Sequence, residues 1–530
     1  VTIVTTSGRR DFLRQIAAAG VAVAPGWCRA HGAAAARATA DTTRARAEID
    51  RRLFGSFLEH LGRAVYEGVY EPGSRLADSN GYRKDVLEEM RTLGVPIMRY
   101  PGGNFVSGYN WLDGVGPQDK RPRVLERAWN STETNQFGTN EFLAWCKLAG
   151  CEPLLAVNLG SGTAEMAAAL AEYCLVDKGT KYSDLRRSHG VESPYEVKYW
   201  CLGNEMDGPW QIGHMTAREY GRKAADAARQ MRVIDPSLKL IACGSSGPFM
   251  PTYLTWDREA LEECYNEVDA ISLHRYFNNT TETDGDPARY LALNLSLERQ
   301  IEEVAATCDY VQGLNNSRKR LWLSFDEWNV WYRARVYDGK RAAAPHLLEE
   351  VYNLEDALLV GGLLNSLIRH AGRVRVACLA QIVNVIAPLL TNQTQVLRQS
   401  IYYPYAWALK HARGLVLDLL FESETYEVPQ FGAVPYVDVV ASFDPGTGRR
   451  CVLALNRDLK GDRELTVHWQ DSGPSRAVTC ETLTGSDLKA ANSFDQPRRV
   501  VPQALEPPAP GSKMTLKLPP RSYTVAVMAS

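Results

Sequence analysis

Two glutamates occupy positions from which a chain can do acid–base chemistry on a bond held between them. Glu205 ends the stretch Tyr199-Trp200-Cys201-Leu202-Gly203-Asn204-Glu205, and Glu327 lies in Trp322-Leu323-Ser324-Phe325-Asp326-Glu327-Trp328-Asn329. In each case a short apolar run of strand-forming residues delivers the carboxyl group at its end. Glycoside hydrolysis needs such a pair. One carboxyl must be protonated near neutral pH to supply the leaving oxygen, and the other must be ionised to attack the anomeric carbon or to activate water. Either glutamate alone is weak evidence, because carboxylates after strands often cap a helix. The pair becomes specific only if the fold brings both to one cleft.

The elements that must do so form a repeating β/α pattern. Strand candidates are Leu53–Leu58, Pro96–Tyr100, Pro153–Asn158, Val197–Leu202, Leu238–Cys243, Ala270–His274, Leu321–Phe325 and Val374–Ile382. Helical spacing separates them. In Gly81–Leu93 the residues Val86, Leu87, Met90 and Leu93 share one face, and Thr216–Met231 and Leu354–Ile368 read the same way. This alternation predicts an α/β fold, a catalytic (β/α)8 TIM barrel over residues 52–413, with chemistry at the C-terminal rim of its strands. Strands four and seven are expected to face one another, so that Glu205 and Glu327 point into one cleft. The other rim groups are Glu59-His60, Pro101-Gly102-Gly103-Asn104, Asn158, Asn204, His274-Arg275-Tyr276, Asp326 and Gln381. That set is acidic and amide-rich. It contains no Ser/His/Asp set in nucleophile-elbow context and no phosphate-cradling loop.

After Gly414 the pattern changes to short alternating runs: Tyr436–Ser442, Cys451–Asn456, Glu464–His468, Lys513–Leu518 and Ser522–Val527. Turn residues separate them, which predicts a C-terminal antiparallel β-sandwich over residues 414–530. Residues 40–51 read as an N-terminal strand segment joining that sandwich. Residues 1–39 read as an export leader: Arg9-Arg10-Asp11-Phe12-Leu13 is similar to a twin-arginine signal, followed by a modest apolar stretch and an alanine-rich end.

Composition bounds the function. The 530 residues carry a net charge of -2, which argues against a nucleic-acid partner, since phosphate neutralisation needs a basic surface. No apolar run is long enough to span a membrane. The 11 cysteines are scattered, with no CxxC pair and no zinc-ligand spacing, so neither a disulfide scaffold nor a structural metal is expected. The 12 Trp and 24 Tyr supply flat amphipathic rings of the kind that stack on sugars.

Several stretches go further. FGSFLEHLGRAVYEGVYEP, RYPGGNFVSGYNWLDGVGP, YWCLGNEMDGPWQ, DAISLHRY, FDEWNVWY and CLAQIVNVIAPL resemble the α-L-arabinofuranosidases of glycoside hydrolase family 51, from about residue 52 through the barrel. The resemblance implies a retaining, exo-acting enzyme that releases terminal non-reducing α-L-arabinofuranosyl residues from arabinoxylan, arabinan or arabino-oligosaccharides by double displacement. It implies Glu205 as general acid/base and Glu327 as nucleophile. Glu59, Asn104, Asn204, His274, Tyr276 and Gln381 match positions lining the furanose pocket, with Trp111 and Trp331 as aromatic walls. It implies no metal and no organic cofactor, and a homo-oligomer, commonly a hexamer. Members of the family are often intracellular, so the leader, which predicts export to a periplasmic or external location, departs from the family habit and leaves a cytoplasmic location as the alternative.

Two other readings are open at this stage. One is another retaining glycosidase on the same scaffold, an endo-β-glucanase or a galactofuranosidase. The other is a sugar-binding protein without catalysis, against which the retention of both glutamates argues. His274 as a satisfied core histidine, Gln381 as a backbone partner in the last strand and Glu59 as an ion-pair partner of Arg63 are the structural alternatives at those positions.

Overall fold

A computed structural model describes residues 35–332 and 341–530. Eight strands close a barrel: Gly55–Phe57, Ile97–Tyr100, Glu152–Val157, Tyr199–Leu202, Lys239–Ala242, Ala270–Phe277, Trp322–Val330 and Val374–Leu379. All neighbours pair in parallel, and the last strand closes on the first through Cys378 and Gly55. The (β/α)8 barrel expected from the sequence is therefore present.

Two departures from the expected strand limits bear on function. The first strand begins later, because Arg51–Phe54 forms a 3-10 turn capped by the Asp50 side chain. The sixth and seventh strands run on to Phe277 and Val330, so Glu327 lies inside its strand rather than after it. The register of these two strands slips between Ser272 and His274, and that slip sets His274 opposite Glu327. Strands four and seven are also not opposed. They stand three positions apart round the barrel, and a residue of the sixth strand bridges them.

The helices form for ordinary reasons. Lys84–Leu93 buries Val86, Leu87, Met90 and Leu93 and ends at Gly94, whose φ of 66° suits a residue without Cβ. In Ala217–Ile234 the side chain of Thr216 accepts from the Glu219 N–H while Glu219 reaches back to the Thr216 N–H, a reciprocal cap. Leu354–Arg369 is buried on nearly every face, because it lies between the barrel and the second unit. No helix among the described residues is long and apolar enough to cross a membrane.

The second unit packs a seven-stranded sheet against a four-stranded one. Its pairing is antiparallel except that Ala35–Ala40 runs parallel to Arg463–Trp469. Residues 35–39 therefore belong to a strand and not to the leader assigned to residues 1–39. Alanines give little strand signal in a sequence, yet Ala36, Ala38 and Ala40 are buried between the sheets. Ala45–Glu48 joins the larger sheet through Leu415–Leu417. The rest of the leader reading, including Arg9 and Arg10, lies outside the described residues.

A buried charge cluster ties this unit to the barrel helices. Asp438 accepts from Arg369, Arg457, Asn294 and Asn365. Burial opposes the Asp438 charge, but Arg369 and Arg457 outweigh it and hold its carboxyl well below the usual range. Nearby, a Cβ placed on Gly361 would come within 2.5 Å of Tyr523 Cδ2. Gly361→Ala gains about 1 kcal/mol of helix propensity but pushes the Tyr523 ring out of its packing, at a cost of about 1–3 kcal/mol. The expected outcome is a lower melting temperature by scanning calorimetry; a higher one would contradict this account of the interface.

Candidate active site

The cleft is assembled from the ends of the strands. After the fourth strand the chain turns through Gly203, φ 93°, and then through Glu205 itself, φ 44°. A left-handed backbone is uncommon for a residue with a side chain, and here it falls on the candidate acid. One Glu205 oxygen, Oε1, lies 3.0 Å from His274 Nδ1, and the other, Oε2, accepts from Trp210 Nε1 at 2.7 Å. Glu327, 6% exposed, accepts from Arg99 Nη1 at 2.6 Å on Oε1 and from the Tyr276 hydroxyl at 2.8 Å on Oε2. Two donors are thus aimed at this carboxyl, one of them charged.

His274 links the pair. Its Nδ1 faces Glu205 and stands 3.6 Å from Glu327 Oε2, while Nε2 lies 3.2 Å from Asp326 Oδ1. Burial disfavours charge on this ring, but the Glu327, Asp326 and Glu205 carboxyls outweigh burial and hold the imidazolium up to about 10. For Asp326 burial again works against the charge, while Arg99 and His274 hold its carboxyl below the usual range. Glu205 is raised above the usual range, first by burial and then by the charge of Glu327, against the hydrogen bond from His274. Glu205, His274 and Glu327 each bring one ligating atom within 4.8 Å of the others. Both ring nitrogens of His274 face carboxylates, Nδ1 that of Glu205 and Nε2 that of Asp326.

Glu59 lies at the end of the first strand and is buried, not paired with Arg63, which instead forks onto Glu349. Its Oε1 accepts from the Phe105 N–H at 2.9 Å and from Trp129 Nε1 at 3.0 Å. Burial, reinforced by the charge of Glu327, pushes its carboxyl up to about 8. A Cβ on Gly103 would come within 2.5 Å of Glu59 Oε2. The glycine pair is thus required by the close approach of Glu59 as well as by the turn into Asn104, which opens the 3-10 segment Asn104–Gly108 half-buried at the rim. Gln381 accepts the Glu59 N–H on Oε1 at 2.8 Å, and so fixes the backbone that carries Glu59. Asn204 is buried and accepts from Arg99 Nη2 at 2.7 Å.

The structure therefore gathers Glu59, Asn204, Glu205, His274, Tyr276, Glu327 and Gln381 at the strand ends, hydrogen-bonded in three groups: Asn204, Glu327 and Tyr276 with Arg99, Glu205 and His274 with Asp326, and Glu59 with Gln381. Trp331 joins them through its ring, which meets Tyr276 edge-on at 5.3 Å. Trp111 does something else: it is buried, donates to the Met166 carbonyl and packs on Tyr173 and Tyr182, the contacts of a packing residue beneath the rim. Three members of the set escape a reading of the sequence. Arg99 bonds both Glu327 and Asn204 and lies 3.4 Å from Asp326, yet a lone cation inside a strand carries no mark of such partners. Trp129 belongs to a long excursion between the second strand and the next helix, where no periodicity marks it. Trp210 stands five residues beyond Glu205 in a stretch quoted above, and its aromatic type beside the acid was the available signal.

Residues 89–291 match the family description "Alpha-L-arabinofuranosidase 1 domain" and residues 326–522 match "Alpha-L-arabinofuranosidase C-terminal domain". The chain is 49% identical over 461 residues to the intracellular exo-α-(1→5)-L-arabinofuranosidase 1 of Bacillus subtilis, covering 86% of this chain and 91% of that one. It is 43% identical to an exo-α-(1→6)-L-arabinofuranosidase of Bifidobacterium longum, covering 90% and 94%. The solved structure of a family 51 α-L-arabinofuranosidase from Bifidobacterium longum superposes with a TM-score of 0.90 at 38% identity, covering 94% of this chain and all of that one. The chain is a glycoside hydrolase and belongs to the α-L-arabinofuranosidases of family 51.

Proposed function

We propose that the enzyme releases terminal α-L-arabinofuranosyl residues with retention of configuration, Glu327 acting as nucleophile and Glu205 as acid and then base. The observation that carries this reading is the approach of one Glu205 oxygen to one Glu327 oxygen within 4.8 Å. Retaining glycosidases hold their carboxyl groups about 5–5.5 Å apart, whereas inverting ones leave about 6.5–9.5 Å for a water.

Glu327 attacks the anomeric carbon as the bond to the leaving oxygen breaks, and the Glu205 proton passes to that oxygen. The ester formed on Glu327 has no negative charge. One of the influences that raises Glu205 is then gone, so Glu205 ionises more readily and takes a proton from the incoming water. Water attacks the anomeric carbon, the ester bond breaks, and Glu327 leaves as a carboxylate. Asn204 and Glu59 hold ring hydroxyls, Asn204 being set by Arg99 and Glu59 by Gln381. Contacts to the hydroxyl beside the anomeric carbon strengthen in the transition state and lower the barrier.

The name of the Bacillus subtilis relative supports (1→5)-linked arabinofuranosyl residues as the substrate and the cell interior as the place of action, in preference to export. Separation of washed cells into cytoplasmic and external fractions tests the second point; activity confined to the external fraction would overturn it.

Azide distinguishes the two glutamates. With an activated aryl α-L-arabinofuranoside, Glu205→Ala still forms the glycosyl-enzyme, so azide restores turnover and the product is the α-arabinofuranosyl azide. Glu327→Ala loses about 10⁴-fold or more in kcat, and azide gives the β product. NMR of the azides reads the outcome, and exchange of the two anomers would overturn the assignment.

The pH profile of His274→Asn gives a second check. His274 donates to the Glu205 carboxylate and favours its charged form. Without it Glu205 keeps its proton to higher pH, so the basic limb of kcat/KM moves upward, and kcat falls about 10–100-fold for one lost charge-assisted hydrogen bond. A downward move would show that His274, and not Glu205, sets that limb.

A further inference from the structure

The carboxyl pair accounts for the sugar that is released and says nothing of the ring it leaves behind. Beside Glu205 two aromatic side chains stand in solvent: Trp210, 45% exposed, and Phe249, 61% exposed. Their rings stack with centroids 6.2 Å apart and planes at 30°. Trp210 follows the fourth strand and Phe249 the fifth, so two separate rim segments supply the stack.

The arrangement is built in. Asp207 ties the segments together, accepting from Ser245 Oγ at 2.7 Å and from the Ser246 N–H at 3.1 Å. Each ring lies back over a glycine two residues before it. A Cβ on Gly208 would come within 2.6 Å of Trp210 Cε2, and one on Gly247 within 2.5 Å of Phe249 Cε1. The stack also touches the chemistry, since Trp210 Nε1 donates to Glu205 Oε2 at 2.7 Å. The other Glu205 oxygen faces His274.

This places a constraint on the reaction. An acid must lie within hydrogen-bond reach of the oxygen it protonates. With Oε1 engaged by His274, the oxygen that serves the scissile bond is Oε2, the one that Trp210 holds. The leaving oxygen must therefore take the place of the indole N–H, and the ring attached to it arrives over the aromatic pair. Sugar rings present an apolar C–H face, and flat aromatic surface left in water beside a reacting bond is matched to such a face.

We propose that Trp210 and Phe249 form the platform that receives the sugar ring on the leaving-group side of the scissile bond, and that Trp210 is also a positioning residue whose N–H holds Glu205 Oε2 until the leaving oxygen replaces it. The proposal rests on Glu205 being the acid. Loss of the indole donor on substrate arrival makes the Glu205 carboxyl hold its proton more tightly, at the step where a proton donor is needed.

Two glycosides separate the platform from the rest of the site. Methyl α-L-arabinofuranoside and α-(1→5)-linked arabinobiose both release alcohols that require protonation, and only the second carries a ring on the leaving side. In Phe249→Ala, kcat/KM for the disaccharide falls about tenfold more than for the methyl glycoside. In Trp210→Phe the ring stays and the N–H goes, so the basic limb of kcat/KM moves upward by about half a pH unit or more. Equal losses on the two glycosides in Phe249→Ala, or an unmoved basic limb in Trp210→Phe, would overturn the proposal. Failure of the Glu205 assignment shows separately, as a Glu205→Ala enzyme that azide does not rescue, and overturns the proposal with it.

Discussion

Four carboxyl groups and two cations share the buried cleft, and the need to balance their charges organises the rest of the site. Glu59, Glu205, Asp326 and Glu327 could not all ionise in so small and dry a space. Arg99 and the His274 imidazolium supply two positive charges, and both bear on Asp326 and Glu327. Of the four, Glu59 and Glu205 are the two carboxyls raised above their ordinary range. The proposed assignment of acid and nucleophile draws on this balance. Glu327 has Arg99 and a tyrosine hydroxyl directed at it, while Glu205 has burial and a neighbouring anion that favour its neutral form.

The barrel makes this balance possible by bringing residues far apart in the chain to fixed registers. Arg99 projects from the second strand with its guanidinium over the Phe57 ring of the first, and reaches residues that end the fourth strand and lie within the seventh. The register slip that puts His274 opposite Glu327 lets one imidazole span strands that are not neighbours. Behind the barrel, the all-buried helix Leu354–Arg369 and the Asp438 cluster lock the β-sandwich onto the scaffold.

Much of this was legible in the chain. Each barrel strand announced itself as a short apolar run closed by polar or glycine residues, and Glu205 and Glu327 stood where such runs end. What escaped has physical causes. Arg99 sits between Met98 and Tyr100, and one cation in a strand carries no mark of the carboxylates that a closed barrel will bring to it. Trp129 reaches Glu59 from a loop excursion whose path depends on tertiary packing. Ala35–Ala40 imitates the small-residue end of a leader because alanine contributes little side chain to either pattern. Trp111 looked like a cleft wall from its motif, but its contacts with Tyr173 and Met166 are long-range and invisible in composition.

The claim on which the account stands is that Glu327 carries the sugar between the two displacement steps. A 2-deoxy-2-fluoro-α-L-arabinofuranosyl donor with a good leaving group slows the second step more than the first and leaves the intermediate on the protein. Digestion and peptide mass spectrometry then locate the label. The account predicts one fluoro-arabinofuranosyl group per chain, on the peptide containing Glu327 and on that residue. A label on Glu205 or Glu59, or inactivation with no covalent label, would contradict it.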